Sequence, residues 1–155
     1  FEGRSYIGRA IRAWTLAPYS HVGIAYVHKG RVMLAESREW FGVRQIPLSN
    51  AGPVVVVPTG EERTDEADQF MHATLGSYYG WWDLLRTAIG RKLERDNRYI
   101  CSEWAGEVLV RMGIKLDARS FRSPGALVRA QLGRTGRMRF VQPQPAPGAV
   151  PAEAL

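Results

Sequence analysis

The stretch Arg98-Tyr99-Ile100-Cys101-Ser102-Glu103-Trp104-Ala105-Gly106-Glu107-Val108-Leu109-Val110-Arg111-Met112-Gly113 carries the only cysteine of the 155-residue chain. Beyond it, Trp104, Val108 and Met112 recur every four positions with Ala105 and Leu109 alongside, and Gly113 is a natural C-terminal stop. The spacing predicts a helix that opens at Cys101. The unpaired N–H groups and partial positive charge of a helix N-terminus favour thiolate over thiol. A cysteine so placed can be a nucleophile. Cysteine is also among the most buried residue types, and a lone one is commonly inert, so its neighbours decide.

A nucleophilic cysteine needs a base, and the chain has three histidines. His72 falls on a helical surface, Glu66-Ala67-Asp68-Gln69-Phe70-Met71-His72-Ala73, and His28 precedes the turn signal Lys29-Gly30. His21 follows Pro18-Tyr19-Ser20 and heads the apolar run Val22-Gly23-Ile24-Ala25-Tyr26-Val27, which reads as a buried strand. A histidine at the mouth of a core strand can face a cysteine at the head of a packed helix.

Register supplies a third member. If Lys29-Gly30 is a two-residue turn, position 28 pairs with 31, His21 lies opposite Arg38, and Glu36 is its diagonal neighbour on the same face. A three-residue loop would reverse the parity, leaving Glu39 and Ser37 as alternatives. The backbone N–H of Cys101 is a candidate oxyanion donor, with Tyr19 or Tyr99 as a side-chain donor.

Three short pieces, Ser20-His21-Val22-Gly23-Ile24, Leu34-Ala35-Glu36-Ser37 and Tyr99-Ile100-Cys101-Ser102-Glu103-Trp104, resemble the circularly permuted branch of the NlpC-type, papain-like cysteine hydrolases. That branch holds the YiiX-like proteins and, further off, the lecithin retinol acyltransferase group. In ordinary papain-like enzymes the cysteine helix precedes the histidine strand; here the histidine comes first. The resemblance implies an α+β fold with a small antiparallel sheet or half-barrel packed against the cysteine helix. It also implies Cys101 as nucleophile, His21 as base, Glu36 as orienting residue, and origin in a bacterium or phage. The acyltransferase side carries Asn-Cys-Glu and His-Trp, whereas this chain has Ile100-Cys101-Ser102-Glu103 and His21-Val22, which favours hydrolysis of an amide, such as a cell-wall peptide. The alternatives are a non-catalytic assembly subunit of a phage tail or envelope particle, and a lipid acyltransferase or esterase.

Hydrophobic residues make up 45% and charged residues 23%, an ordinary globular composition for one domain, here expected over residues 1–142. No apolar run is long enough for a transmembrane helix, and the start Phe1-Glu2-Gly3-Arg4 shows no secretory pattern. The formal charge of +6 lies wholly in the second half, and between Ala118 and Gln142 six arginines occur without an acid. Such a face suits an anionic substrate or acidic partner, or is a solvated surface. Without a nucleic-acid motif or aromatic interleaving, nucleic acid is not the expected partner. No metal-ligand spacing, phosphate loop or serine elbow appears, so neither metal nor other cofactor is expected.

Residues 5–14 read as a short amphipathic helix. The predicted hairpin spans 21–27 and 31–37, a third strand 42–48, and a fourth Val54-Val55-Val56-Val57, together forming the half-barrel that carries His21. Thr64-Asp65 caps a helix that Gly76 closes. Tyr78-Tyr79-Gly80-Trp81-Trp82 enters another helix, its Tyr79, Trp81 and Trp82 either packing the core or lining a substrate groove in which Trp82 is a candidate binding residue. The polar stretch 91–98 leads to the cysteine as a gating loop or plain connector. Ser123 caps a helix begun by Pro124, and Met138-Arg139-Phe140-Val141 adds an edge strand. Residues 143–155 form a proline-rich extended tail, suited to a larger assembly.

Overall fold

A computed structural model describes residues 19–80 and 98–143. The amphipathic segment 5–14, Trp81 and Trp82, residues 91–97 and nearly all of the proline-rich tail lie outside the described residues.

The chain is a mixed α+β protein. Strands β1 (Ile24–His28), β2 (Arg31–Arg38) and β3 (Gly42–Pro47) form an antiparallel sheet in the order β1-β2-β3. Lys29 and Gly30 both have positive φ, 47° and 75°, as a type I′ turn requires, and His28 pairs with Arg31. The ladder therefore keeps the register of the two-residue turn, with Ile24 opposite Ala35. The second turn places Gly42 opposite Arg38 and Glu36 opposite Arg44. Gly42 has φ of 68°, and a Cβ there would lie 2.2 Å from the Ser77 carbonyl oxygen, so only glycine fits.

One expectation about the strands needs correction. Val54–Val56 (β4) does not extend the three-stranded sheet: it pairs antiparallel with Arg139–Val141 (β7), the predicted edge strand, in a separate two-stranded sheet. Pro53 and Pro58 bracket β4 and confine it to a short strand at a sheet edge. Tyr78 and Tyr79 form β5 (Tyr78–Tyr79), parallel to β6 (Arg98–Tyr99), and the helix expected beyond them falls outside the described residues. Aromatic residues suit such a pleated surface.

Helix α1 (Asp65–Ala73) is capped by Thr64, whose Oγ1 accepts the Ala67 N–H at 3.2 Å, and Gly76 follows it with φ of 79°. Helix α2 (Cys101–Arg111) ends at Gly113, φ 82°, where Gly113 N–H bonds the Val110 carbonyl and Ile114 N–H bonds that of Leu109. This is a Schellman closure, with Ile114 buried against the core. Helix α3 (Pro124–Thr135) starts from the Ser123 cap with proline in its first turn.

The core lies between the sheet and α2, which buries Trp104, Ala105, Val108 and Leu109 and packs on β2, α1 and α3. Trp104 is fully buried, stacks on Phe70 with centroids 6.4 Å apart, and donates its indole N–H to Thr74 Oγ1 at 2.9 Å. On the opposite side, Gly106 allows the 3-10 turn Ser120–Arg122 to sit against the helix, since a Cβ would come within 2.7 Å of the Phe121 ring. Among the described residues no helix is long and apolar enough to cross a membrane.

Candidate active site

Cys101 is the first residue of α2, and Ile100, extended at φ −79° and ψ 158°, is its N-cap. The first helical hydrogen bond is donated by the Trp104 N–H to the Ile100 carbonyl, so the N–H groups of Cys101, Ser102 and Glu103 have no acceptor within the helix. Two anchors fix this end. Ser37 Oγ donates to the Tyr99 carbonyl at 2.7 Å, tying the approach to β2, and Ser102 Oγ donates to the Phe121 carbonyl at 2.9 Å. The thiol is free of any disulfide and buried.

His21 lies three residues ahead of β1 rather than within it, yet it faces the site. Gly23 makes this possible: a Cβ there would stand 2.7 Å from the Ala35 carbonyl oxygen and 3.1 Å from Glu36 Cβ, so glycine lets the segment lie against β2. His21 Nε2 is 2.8 Å from Glu36 Oε2, and the imidazole also hydrogen-bonds the Cys101 side chain. With Nε2 committed to the carboxylate, Nδ1 is the nitrogen left for sulfur. The structure thus brings together Cys101, His21 and Glu36.

The alternatives for the third position separate by strand parity. Ser37 points to the other face of β2 and serves the Tyr99 carbonyl. Glu36 itself has no solvent exposure, and its other oxygen, Oε1, accepts from Arg44 Nε at 2.9 Å and Nη2 at 2.7 Å, with Arg38 Nη1 at 3.7 Å. Arg44 is a residue that the sequence reading missed. Its signal was the second hairpin, because a three-residue turn at 39–41 sets Arg44 directly across from Glu36.

These contacts set the protonation states. Burial alone would lower the pKa of His21, but the hydrogen bonds and negative charge of Cys101 and Glu36 outweigh it and raise the value from 6.5 to about 9. Burial would raise that of Glu36, but His21 and then Arg44 outweigh it and bring the carboxyl down from 4.5 to about 2. At neutral pH the site therefore holds an imidazolium clamped by a carboxylate. This is the state that stabilises a neighbouring thiolate.

Of the candidate side-chain donors, Tyr19 donates its hydroxyl to Met138 Sδ at 3.4 Å, and the Tyr99 ring packs edge-on to Phe70 with centroids 5.8 Å apart. Tyr79, 6% exposed, is a hydroxyl the sequence reading did not name for this place, and it interacts with the Cys101 side chain. Burial, then the charges of Cys101 and Glu39, hold its hydroxyl protonated well above the usual tyrosine range, so it remains a donor. No local pattern could reveal this, because the parallel β5–β6 pair that positions Tyr79 joins segments about twenty residues apart. Trp82, the remaining candidate, lies outside the described residues. His72 is exposed in the last turn of α1 and His28 is exposed beside the hairpin turn.

Among the described residues no group of three or more potential metal ligands occurs. No protein-family model matches the chain, and neither does any curated protein sequence.

Proposed function

We propose that the protein is a cysteine hydrolase of the permuted NlpC-type, papain-like kind, cleaving an amide bond, most simply a peptide such as one from a cell wall, through an acyl-enzyme. The observation that carries this reading is the hydrogen-bonded chain from the Cys101 thiol through His21 to Glu36, at the N-terminus of α2. A non-catalytic assembly module has no need to hold a buried histidine between a thiol and a carboxylate.

In the proposed reaction the Cys101 proton resides on His21 Nδ1, and the thiolate attacks the amide carbonyl carbon. The N–H of Cys101 and the hydroxyl of Tyr79 face the developing oxyanion. As the tetrahedral adduct collapses, the C–N bond breaks and His21 gives its proton to the departing amine. A thioester to Cys101 remains. Neutral His21 then takes a proton from water, hydroxide adds to the thioester, and the C–S bond breaks to release the acid and return the thiol. Glu36 keeps the imidazole oriented and stabilises its charged form.

A generic acyl donor, p-nitrophenyl acetate, tests this. The expected result is a stoichiometric burst with a +42 Da adduct on Cys101 (the acetyl mass, about 42 Da, set by covalent acyl transfer), no adduct in Cys101→Ala, and a rate about 10²–10⁴-fold lower in His21→Gln. Amide turnover falls above pH about 9, where His21 loses the proton required by the leaving amine. A burst that survives in Cys101→Ala, or is indifferent to His21, contradicts the reading.

A further inference from the structure

The chemistry proposed above makes no use of a cavity of about 500 Å³ between β1 and β4. Its walls are mostly aliphatic, with Ile24, Leu34, Val54 and Leu127 among them, and His21 and Gln131 line it as well. The volume falls in the range of roughly 300–1,000 Å³ typical of pockets that enclose small ligands. Gln131 stands out within it. The residue is 5% exposed on α3, and neither its Nε2 nor its Oε1 has a hydrogen-bond partner among the described residues. A buried amide without partners costs free energy, and native proteins leave few of them.

The chemistry of Gln131 narrows the ligand. A carboxamide presents a donor and an acceptor side by side in one plane, and a second amide returns an acceptor and a donor in the same arrangement. A hydrocarbon chain satisfies neither atom. A carboxylate satisfies only the donor, and Glu62, which also lines the cavity, disfavours a negative charge there, while the neighbouring Glu61 is already paired with Arg134 at 3.0 Å.

We infer that this cavity binds a short peptide segment with aliphatic side chains, its backbone amide paired with Gln131. Because His21 lines the same cavity, the segment is part of the substrate of the proposed hydrolase; to that extent the inference rests on the reading above. Aliphatic side chains fill the apolar walls, and Gln131 discriminates peptides from lipid chains of equal size, since ligands lacking the amide leave it unsatisfied.

Binding is measured by calorimetry on Cys101→Ala, in which no turnover occurs, with N-acetyl-leucyl-leucine amide as the peptide probe and laurate as the lipid probe. The expected result is saturable binding of the peptide amide, weakened about tenfold or more by adding Gln131→Leu. Laurate binds more weakly, and Gln131→Leu does not weaken it further. Ala25→Trp, at the exposed wall of the cavity, abolishes peptide binding while the protein remains folded. Gln131→Leu also raises the melting temperature of the ligand-free protein by several degrees, because two unpaired buried atoms are removed. Absence of saturable peptide binding, an affinity indifferent to Gln131→Leu or Ala25→Trp, tighter binding of laurate, or a lowered melting temperature in Gln131→Leu each overturns the inference. Failure here leaves thiol acylation untouched, and failure of acylation leaves this binding result standing, so the two readings are separable.

Discussion

Glu36→Ala is expected to lower the free energy of unfolding by about 3–5 kcal/mol, the cost of breaking a buried charge pair by removing one partner. Glu36 has no exposure and is shared between His21, itself only 9% exposed, and Arg44. Its loss leaves His21 and the guanidinium groups of Arg44 and Arg38 with no anion between them. Glu36→Gln keeps the volume and loses less stability, but the imidazole gives up a charged partner and its pKa falls from about 9 toward 6.5. Urea unfolding measures the first effect and an NMR titration of His21 the second. A loss within the ~0–1 kcal/mol of an exposed ion pair, with His21 titrating unchanged, contradicts the network.

The same pair sets a pH window. Glu36 titrates at about 2 in the folded chain against 4.5 ordinarily, so its contribution is present above pH 4.5 and is lost as pH falls toward 2. His21 titrates at about 9 against 6.5, so its contribution is present below pH 6.5 and is lost as pH rises through 9. Together they support the fold most between pH 4.5 and 6.5. Glu36→Ala removes the acid-side loss.

Trp104→Ala has an effect of similar size for a different reason. The indole is fully buried at the centre of α2, and truncation of such a residue costs about 3–5 kcal/mol in lost burial and residual cavity. It also ends the stack on Phe70 and leaves Thr74 Oγ1 without the indole N–H. Because α2 carries Cys101 on its first residue, the helix loosens where the thiol is held, so acylation falls together with stability. In Glu36→Gln, by contrast, acylation falls much more than stability. Chemical denaturation beside burst kinetics on the two variants makes that comparison. Trp104→Ala unfolding with a loss near 1 kcal/mol, the average for any substitution, would place the core elsewhere.

Much of this was legible because it is local. The four-residue spacing after Cys101, the Gly113 stop, the Thr64 and Ser123 caps and the Lys29-Gly30 turn each depend on neighbours within a few residues, and all appear in the structure. The His21–Glu36 bond was legible only on the condition that Lys29-Gly30 is a two-residue turn, and with that length observed strand parity places Glu36, not Ser37, on the face of His21. What was missed depends on contacts distant in sequence. The partner of β4 is β7, some eighty-five residues away, and nothing in four consecutive valines names it. Tyr79 reaches the thiol because β5 runs parallel to β6, a pairing that no local pattern in the aromatic cluster names. Arg44 is an intermediate case: its position opposite Glu36 follows from the length of the second turn, which the sequence marks less plainly than Lys29-Gly30 marks the first.

The central claim is that Cys101 and His21 form an assembled, interacting pair, and the rate of Cys101 alkylation by iodoacetamide at neutral pH tests it most directly. The account predicts that the thiol of the folded wild type is alkylated and that His21→Ala lowers the rate about tenfold or more. A thiol that stays unreactive in the folded protein, or a rate that His21→Ala leaves unchanged, contradicts it.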